Sequence, residues 1–225
     1  MALPNPDQFL RSIIGPLWAR GQTDPSLKPI ALCFLLSSAA VLSRCNLAGD
    51  CAKAFQAAAL EPASMDRQEE ENNALFCFFT AALSALESFC FATYFAGAAV
   101  NRTGFPYYSK PYKIEPCETC DHYNICFPSH PFTASLKKLL ASAEYEELRI
   151  VRNVLSHQLT PGRHVFGSTI PGVDRSDEWD LNAWLPGKKL ILDPNSLSAR
   201  HDWLENSIET LRTDIEAFWA THGFR

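Results

Sequence analysis

The chain has no excess of positive charge. Its 225 residues carry 20 Lys and Arg against 25 Asp and Glu, a formal net charge of -5. Proteins that coat long nucleic acids are usually basic overall. Any RNA or DNA contact must therefore come from a local basic patch. The N-terminal stretch MALPNPDQFLRSIIGPLWARGQ has no basic region ahead of an apolar run and no small-residue cleavage site. No secretion signal is expected, and the eight cysteines are expected to be reduced thiols of a cytoplasmic protein. Internal repeats and low-complexity tracts are also absent. What remains is a globular composition, 47% hydrophobic and 20% charged, with enough apolar side chain for one core. The expected organisation is one domain over 1–225, with an insertion.

Uninterrupted membrane-length runs are nearly lacking as well. Ile30 to Leu42 is too short to span a bilayer as a helix. Ala74 to Val100 is long enough, but it carries Glu87 at its middle, where charge is costly in lipid. It also follows the acidic start MDRQEEENN. A buried central helix of an all-α bundle is expected, with no stable membrane insertion; a membrane-associated helical protein is the competing reading. Cys77 and Cys90 in this run read as small core residues.

The periodicity is mostly helical. Asp24-Pro25 opens a helix to about Cys45, and Asp50 caps a short one ending near Leu60. Ser64 caps a long helix from Met65 to about Val100. Thr133 or Ser135 opens another that ends near Gln158, because Pro161-Gly162 cannot continue it. Ser196 or Ser198 caps the last, which ends before Gly223; Leu204, Ile208, Leu211, Ile215 and Phe218 form its apolar stripe. The core is expected over about 65–100 and 133–222. Residues 101–132 read as an irregular Cys-, Tyr- and Pro-rich insert. Within 161–195, HVFGSTI and KKLILD are expected to pair as a small β-hairpin around DEWDLNAWLPG.

The stretch LRIVRNVLSHQLTPGR, Leu148 to Arg163, draws attention by its polar side. At about 100° per residue, Arg149, Arg152, Asn153, Ser156 and His157 share one arc, with Glu146 a turn earlier. Leu148, Val151 and Leu155 lie opposite, flanked by Ile150 and Val154. A solvated face with an i,i+3 Arg–Glu pair is the plain reading. Such faces are usually rich in lysine, whereas this one has none and carries His and Asn, mediocre helix formers. Arginine grips phosphate bidentately and stays charged, and histidine moves protons near neutral pH. Arg163 and His164 add positive charge beyond the turn.

With RNVLSH, the chain resembles the HEPN superfamily, small helical bundles marked by Arg, four to six residues, then His, with a polar residue often after the Arg. Arg152, Asn153 and His157 fill those positions, and FTAALSALESFCFATYF resembles the long apolar helix that precedes them. The resemblance spans roughly 65–100 and 133–160. It implies a homodimer that brings two motifs into one cleft, and metal-independent cleavage of RNA by the ribose 2′-hydroxyl. His157 would be the general acid/base, Arg152 would hold the scissile phosphate and Asn153 would orient the site. Arg149, Ser156 and Arg163 would support substrate binding. No cofactor is required by this reading, and defence or toxin–antitoxin roles, with an antitoxin protein as partner, fit it. Non-catalytic members that bind nucleotide or RNA, or only dimerise, give the alternative.

Other residues carry weaker signals. Glu87, alone in its apolar run, needs a partner, and Arg149 or Arg152 is the expected one; the pair would hold two core helices in register, and Glu87 would also position the site arginine from behind. Cys117, Cys120, His122 and Cys126 offer half of a structural zinc site, though no second Cys-x2-Cys follows; free thiols in a loop are the alternative. The three acids of SDEWD read as a solvated turn rather than a Mg2+ site. Trp203 and Trp219 are expected in the core, whereas Trp179 and Trp184 could stack on bases. FPYYSKPYK reads as a packed loop that could also track single-stranded RNA.

Overall fold

Among the described residues, ten elements follow one another: α1 (Arg11–Thr23), α2 (Lys28–Leu60), α3 (Met65–Val100), α4 (Pro116–Cys126), α5 (Pro131–Leu140), α6 (Ala143–His157), β1 (Gly162–Phe166), β2 (Ser176–Asp180), β3 (Lys189–Leu192) and α7 (Ser196–His222). They come from a computed structural model that describes residues 9–61, 64–106, 114–157, 162–166, 176–180 and 189–223. The fold is an all-α bundle carrying a small sheet.

α3 is the central helix. Ser64 caps it as expected, its Oγ accepting from the Arg67 amide at 3.1 Å. From Ala92 to Ala99 every residue is buried, as an apolar helix surrounded by other helices should be. Both α2 and α3 are long and apolar enough to cross a membrane, but 67% of α3's most apolar window is covered by the bundle, against 44% for α2. Coverage by the bundle thus accounts for most of α3's apolar surface.

α2 departs from expectation. Asp24 does not cap it. Its carboxylate accepts from the Ser26 amide at 2.9 Å, while Asp24 itself ends α1. The expected break between Cys45 and Asp50 does not occur, and one 33-residue helix runs through both. Gly49 serves packing instead of termination: a Cβ there would lie 2.9 Å from His201 Nε2 of α7. Asp50 sits exposed within the helix and pairs with Lys53 at 3.3 Å.

The insert is partly helical. Pro116 stands in the first turn of α4, where its missing N–H costs nothing. The Tyr123 hydroxyl donates to the Thr93 carbonyl of α3 at 2.7 Å. Phe105 is fully buried against Gly97, so FPYYSKPYK begins in the core; 107–113 lie outside the described residues. The expected single helix from Thr133 to Gln158 is two helices. Ser142 separates them, its Oγ donating to the Leu139 carbonyl at 2.7 Å and accepting from the Tyr145 amide at 3.2 Å.

The sheet is a three-strand antiparallel meander, not a two-strand hairpin. β2, the SDEWD segment, is the middle strand, pairing Arg163 with Trp179 on one side and Leu192 with Asp177 on the other. Its acids disguised it as a turn, because strand preference depends more on neighbours than on the residue itself. Leu190 and Leu192 are buried beside α7, whose expected stripe is buried throughout.

Candidate functional site

The polar side of α6 has two fates. Glu146 takes Arg149 bidentately, with Nε and Nη2 donating to its two oxygens at 2.9 Å each. Arg152 turns inward, and its Nη2 donates to Glu87 Oε1 of α3 at 3.1 Å. Of the two partners expected for Glu87, Arg152 is the one that reaches it, and Arg149 is held by Glu146 instead. The pair is only half-buried, at 32% and 38% side-chain exposure, because a cavity opens beside it.

The cavity holds about 780 Å3 between α2, α3, α6 and the start of α4. Arg149, Arg152 and Asn153 form its α6 wall, and Glu87 and Ser88 its α3 wall. Arg44 closes the α2 side. Its Nη1 donates to the Ser84 carbonyl at 3.0 Å and also to Ser88 Oγ. Three guanidinium groups thus face two carboxylates, Glu87 and Glu115. With Glu146 held on Arg149, three guanidinium groups meet three carboxylates, so the cavity wall is of mixed charge, with its cations clustered on one side of a chain of net charge -5.

Each guanidinium is oriented by a neighbour and keeps donors to spare. An arginine offers five N–H donors. Arg152 Nε is buried without a hydrogen-bond partner among the described residues. Burial pushes the Glu87 carboxyl above its ordinary value, and the Arg152 and Arg44 charges offset only part of that. The site therefore combines fixed cations with one carboxyl whose proton is held more tightly than usual.

His157 is the last residue of α6, one turn beyond Asn153, and its side chain lies outside the described residues. Arg163 belongs to β1, and its side chain is likewise outside them. Ser156 is exposed and is not among the cavity's lining residues. The side chains of Asp177, Glu178, Trp179 and Asp180, and all of Trp184, also fall outside the described residues. Trp219 is buried and Trp203 packs against the core.

The four residues expected as zinc ligands do not converge. Cys117 is exposed and lines the arginine cavity, whereas Cys120 is buried in the core. His122 Nδ1 bonds the Gly104 carbonyl at 2.6 Å, with its ring against Tyr94 and Phe105. Cys126 also sits beside Gly104. Helical spacing sends positions 117 and 120 to one side of α4 and 122 and 126 to another. No three of them bring ligand atoms within 4.8 Å of one another.

Sequence reasoning missed Arg44, Ser88 and Tyr145 in the cavity wall. Arg44 had a signal: it is the sole charged residue from 29 to 49. That pattern is the same one that singled out Glu87. Comparison with protein-family models, curated proteins and solved structures returned no match for this chain.

Proposed function

We propose that the chain is a metal-independent endoribonuclease whose scissile phosphate enters the arginine cavity. The observation that carries this is the placement of Arg44, Arg149 and Arg152 around one cavity with Glu87. Guanidinium groups match phosphate oxygens and stabilise the charge that builds on them in the transition state. The HEPN resemblance supplies the rest of the reading. The ribose 2′-oxygen forms a bond to phosphorus as the P–O5′ bond breaks. A base takes the 2′-hydroxyl proton, and an acid protonates the departing 5′-oxygen. The products are a 2′,3′-cyclic phosphate and a 5′-hydroxyl. His157 moves the protons, Asn153 orients it, and Glu87 positions Arg152. A cytoplasmic homodimer pairs two such motifs, and an antitoxin protein is a natural partner for a chain with this activity.

A second reading is a non-catalytic module that binds RNA or nucleotide. The ion pairs of Arg149 with Glu146 and of Arg152 with Glu87 favour it, since they hold the guanidinium groups in place for binding whether or not a proton is moved.

The test is cleavage of a mixed RNA pool in EDTA by the wild type, His157→Ala and Arg152→Ala. The nuclease reading expects cyclic-phosphate ends from the wild type alone. Cleavage that persists in His157→Ala removes His157 from the mechanism. Binding without cleavage in the wild type, weakened in Arg152→Ala, establishes the second reading. A wild type that neither binds nor cuts ends both.

A further inference from the structure

The arginine cavity changes character along its length. α2 and α3 run antiparallel, since Arg44 reaches Ser84 while Ala59 meets Arg67. Stepping back along α2 from Arg44 therefore means stepping forward along α3 from Ser88. In that direction the wall turns apolar. Leu36 and Ala40 line it from α2, and Leu36 precedes Arg44 by an axial rise of about 12 Å. Phe91 lines it from α3, one turn after Glu87 on the same face. Ile114 and Pro116 complete this wall at the start of α4.

Both ends are prepared for a ligand. Phe91 is braced from behind: its ring meets that of Phe95, which is fully buried, at a centroid distance of 5.0 Å and an angle of 63°. Phe91 itself is only half-buried, and what it leaves uncovered belongs to the cavity wall. Ile114 is buried and shares that wall, while Leu36 stands exposed at its rim. Apolar area left facing water is stabilised when a ligand with an apolar face covers it. At the other end, Arg152 Nε is buried with no hydrogen-bond partner among the described residues, a donor left for an incoming acceptor. Glu115 is exposed between Ile114 and Pro116. Its carboxylate repels a second phosphate at the apolar end and favours an uncharged group there.

Resting on the reading that the arginine cavity takes an RNA phosphate, we infer that Phe91, with Ile114 and Leu36, binds the nucleobase attached to that phosphate. The phosphate lies on the guanidinium groups, the base lies on the Phe91 ring, and the ribose spans the space between. The cavity's volume of about 780 Å3 falls within the range of about 300–1,000 Å3 usual for sites that enclose small organic ligands. Every base has a π-face, so stacking tolerates all of them. Phe91 thus makes a base a requirement for tight binding without choosing which base.

The test titrates the full chain calorimetrically with the 3′- and 5′-monophosphates of the common ribonucleosides. Ribose 5-phosphate is the base-free comparator, and hexyl phosphate is the comparator that is apolar without a ring. At least one nucleotide is expected to bind about fivefold or more tighter than ribose 5-phosphate, the low end of what stacking one base contributes. It should also outbind hexyl phosphate. Phe91→Leu should erase the gap between nucleotide and ribose 5-phosphate while leaving ribose 5-phosphate binding and the circular dichroism unchanged. Phe91→Tyr, which keeps the ring, should retain the gap. Arg152→Ala should weaken both ligands alike. A wild type that binds ribose 5-phosphate as tightly as every nucleotide overturns the base subsite and leaves the phosphate reading standing. A gap that survives Phe91→Leu overturns it too, as does hexyl phosphate binding as tightly as the best nucleotide; the wild-type comparisons decide the matter even where a variant does not fold. If the wild type binds neither nucleotide nor ribose 5-phosphate, the phosphate reading itself fails, and this inference with it.

Discussion

Replacing Arg67 by Met should remove a large part of the protein's stability. Arg67 lies in the first turn of α3 and clasps the connection to α2. Its Nε and Nη2 donate to Glu71 Oε1 at 2.9 and 2.8 Å, and Nη2 also donates to the Ala59 carbonyl at 3.0 Å. Nη1 reaches the Glu61 carbonyl. The two side chains are only 6% and 1% exposed, so the pair is withdrawn from water. Removing Arg67 takes this guanidinium from the buried Glu71 carboxylate, and loss of one partner of a buried pair typically costs about 3–5 kcal/mol. The lost carbonyl bonds add roughly 0.5–1.5 kcal/mol each, although these costs overlap. A net loss of about 4 kcal/mol is expected, from a typical total of about 5–15 kcal/mol. The double variant Arg67→Met/Glu71→Leu should recover most of that loss, because replacing both charges by apolar groups is often near neutral. Urea unfolding followed by circular dichroism measures each variant, and the cycle isolates the coupling. A single variant within about 1 kcal/mol of the wild type would refute the reasoning. So would a double variant no more stable than the single.

Three other outcomes are expected. Gly97→Ala puts a Cβ 2.6 Å from Phe105 Cε1 in a fully buried aromatic cluster, and should cost about 1–3 kcal/mol in a thermal or urea melt; an unchanged melt would mean that the ring is not wedged there. Arg44→Gln should weaken RNA binding and lower the salt dependence of log K by about 1, whereas an unchanged salt slope would remove Arg44 from the ligand site. His130 caps α5 by accepting from the Phe132 amide at 3.1 Å, and burial, aided by His222, holds its pKa below the ordinary 6.5. A depressed pKa gives stability that is present above 6.5 and lost as pH falls through the folded-state value. His130→Asn keeps a cap but does not titrate, so urea midpoints across mildly acidic pH should fall less steeply in the variant; parallel profiles would contradict this.

Local chemistry made some elements legible in the sequence. Ser64 caps α3 through its own hydroxyl, and the α7 stripe repeats every three or four residues, so neither needs a distant partner to be recognised. The misread elements depend on partners elsewhere. Gly49 looks like a helix end until His201 is packed against it. α4 buries only Thr119, Cys120 and Tyr123, too few positions to establish a period, and its helicity rests on docking Tyr123 into α3. Ser142 looks unexceptional among Ala and Glu, yet its hydroxyl ends one helix and starts the next. β2 is a strand because β1 and β3 flank it.

The candidate site was legible to the extent that a charge in an apolar helix must be answered. Glu87 is the sole charge from 72 to 100, and Arg152 answers it. Arg44 is the sole charge from 29 to 49, and the same reasoning should have placed it against α3. These two isolated charges occupy facing walls of one cavity. Each is expensive to desolvate alone, so an apolar helical hairpin must gather them where it stays open to water. The packing demand that makes α2 and α3 cohere therefore also leaves a wet, arginine-bearing gap between them. Arg149 and Asn153, on the exposed side of α6, are needed for neither helix's packing. Their presence at that gap is what turns a structural necessity into a candidate ligand site.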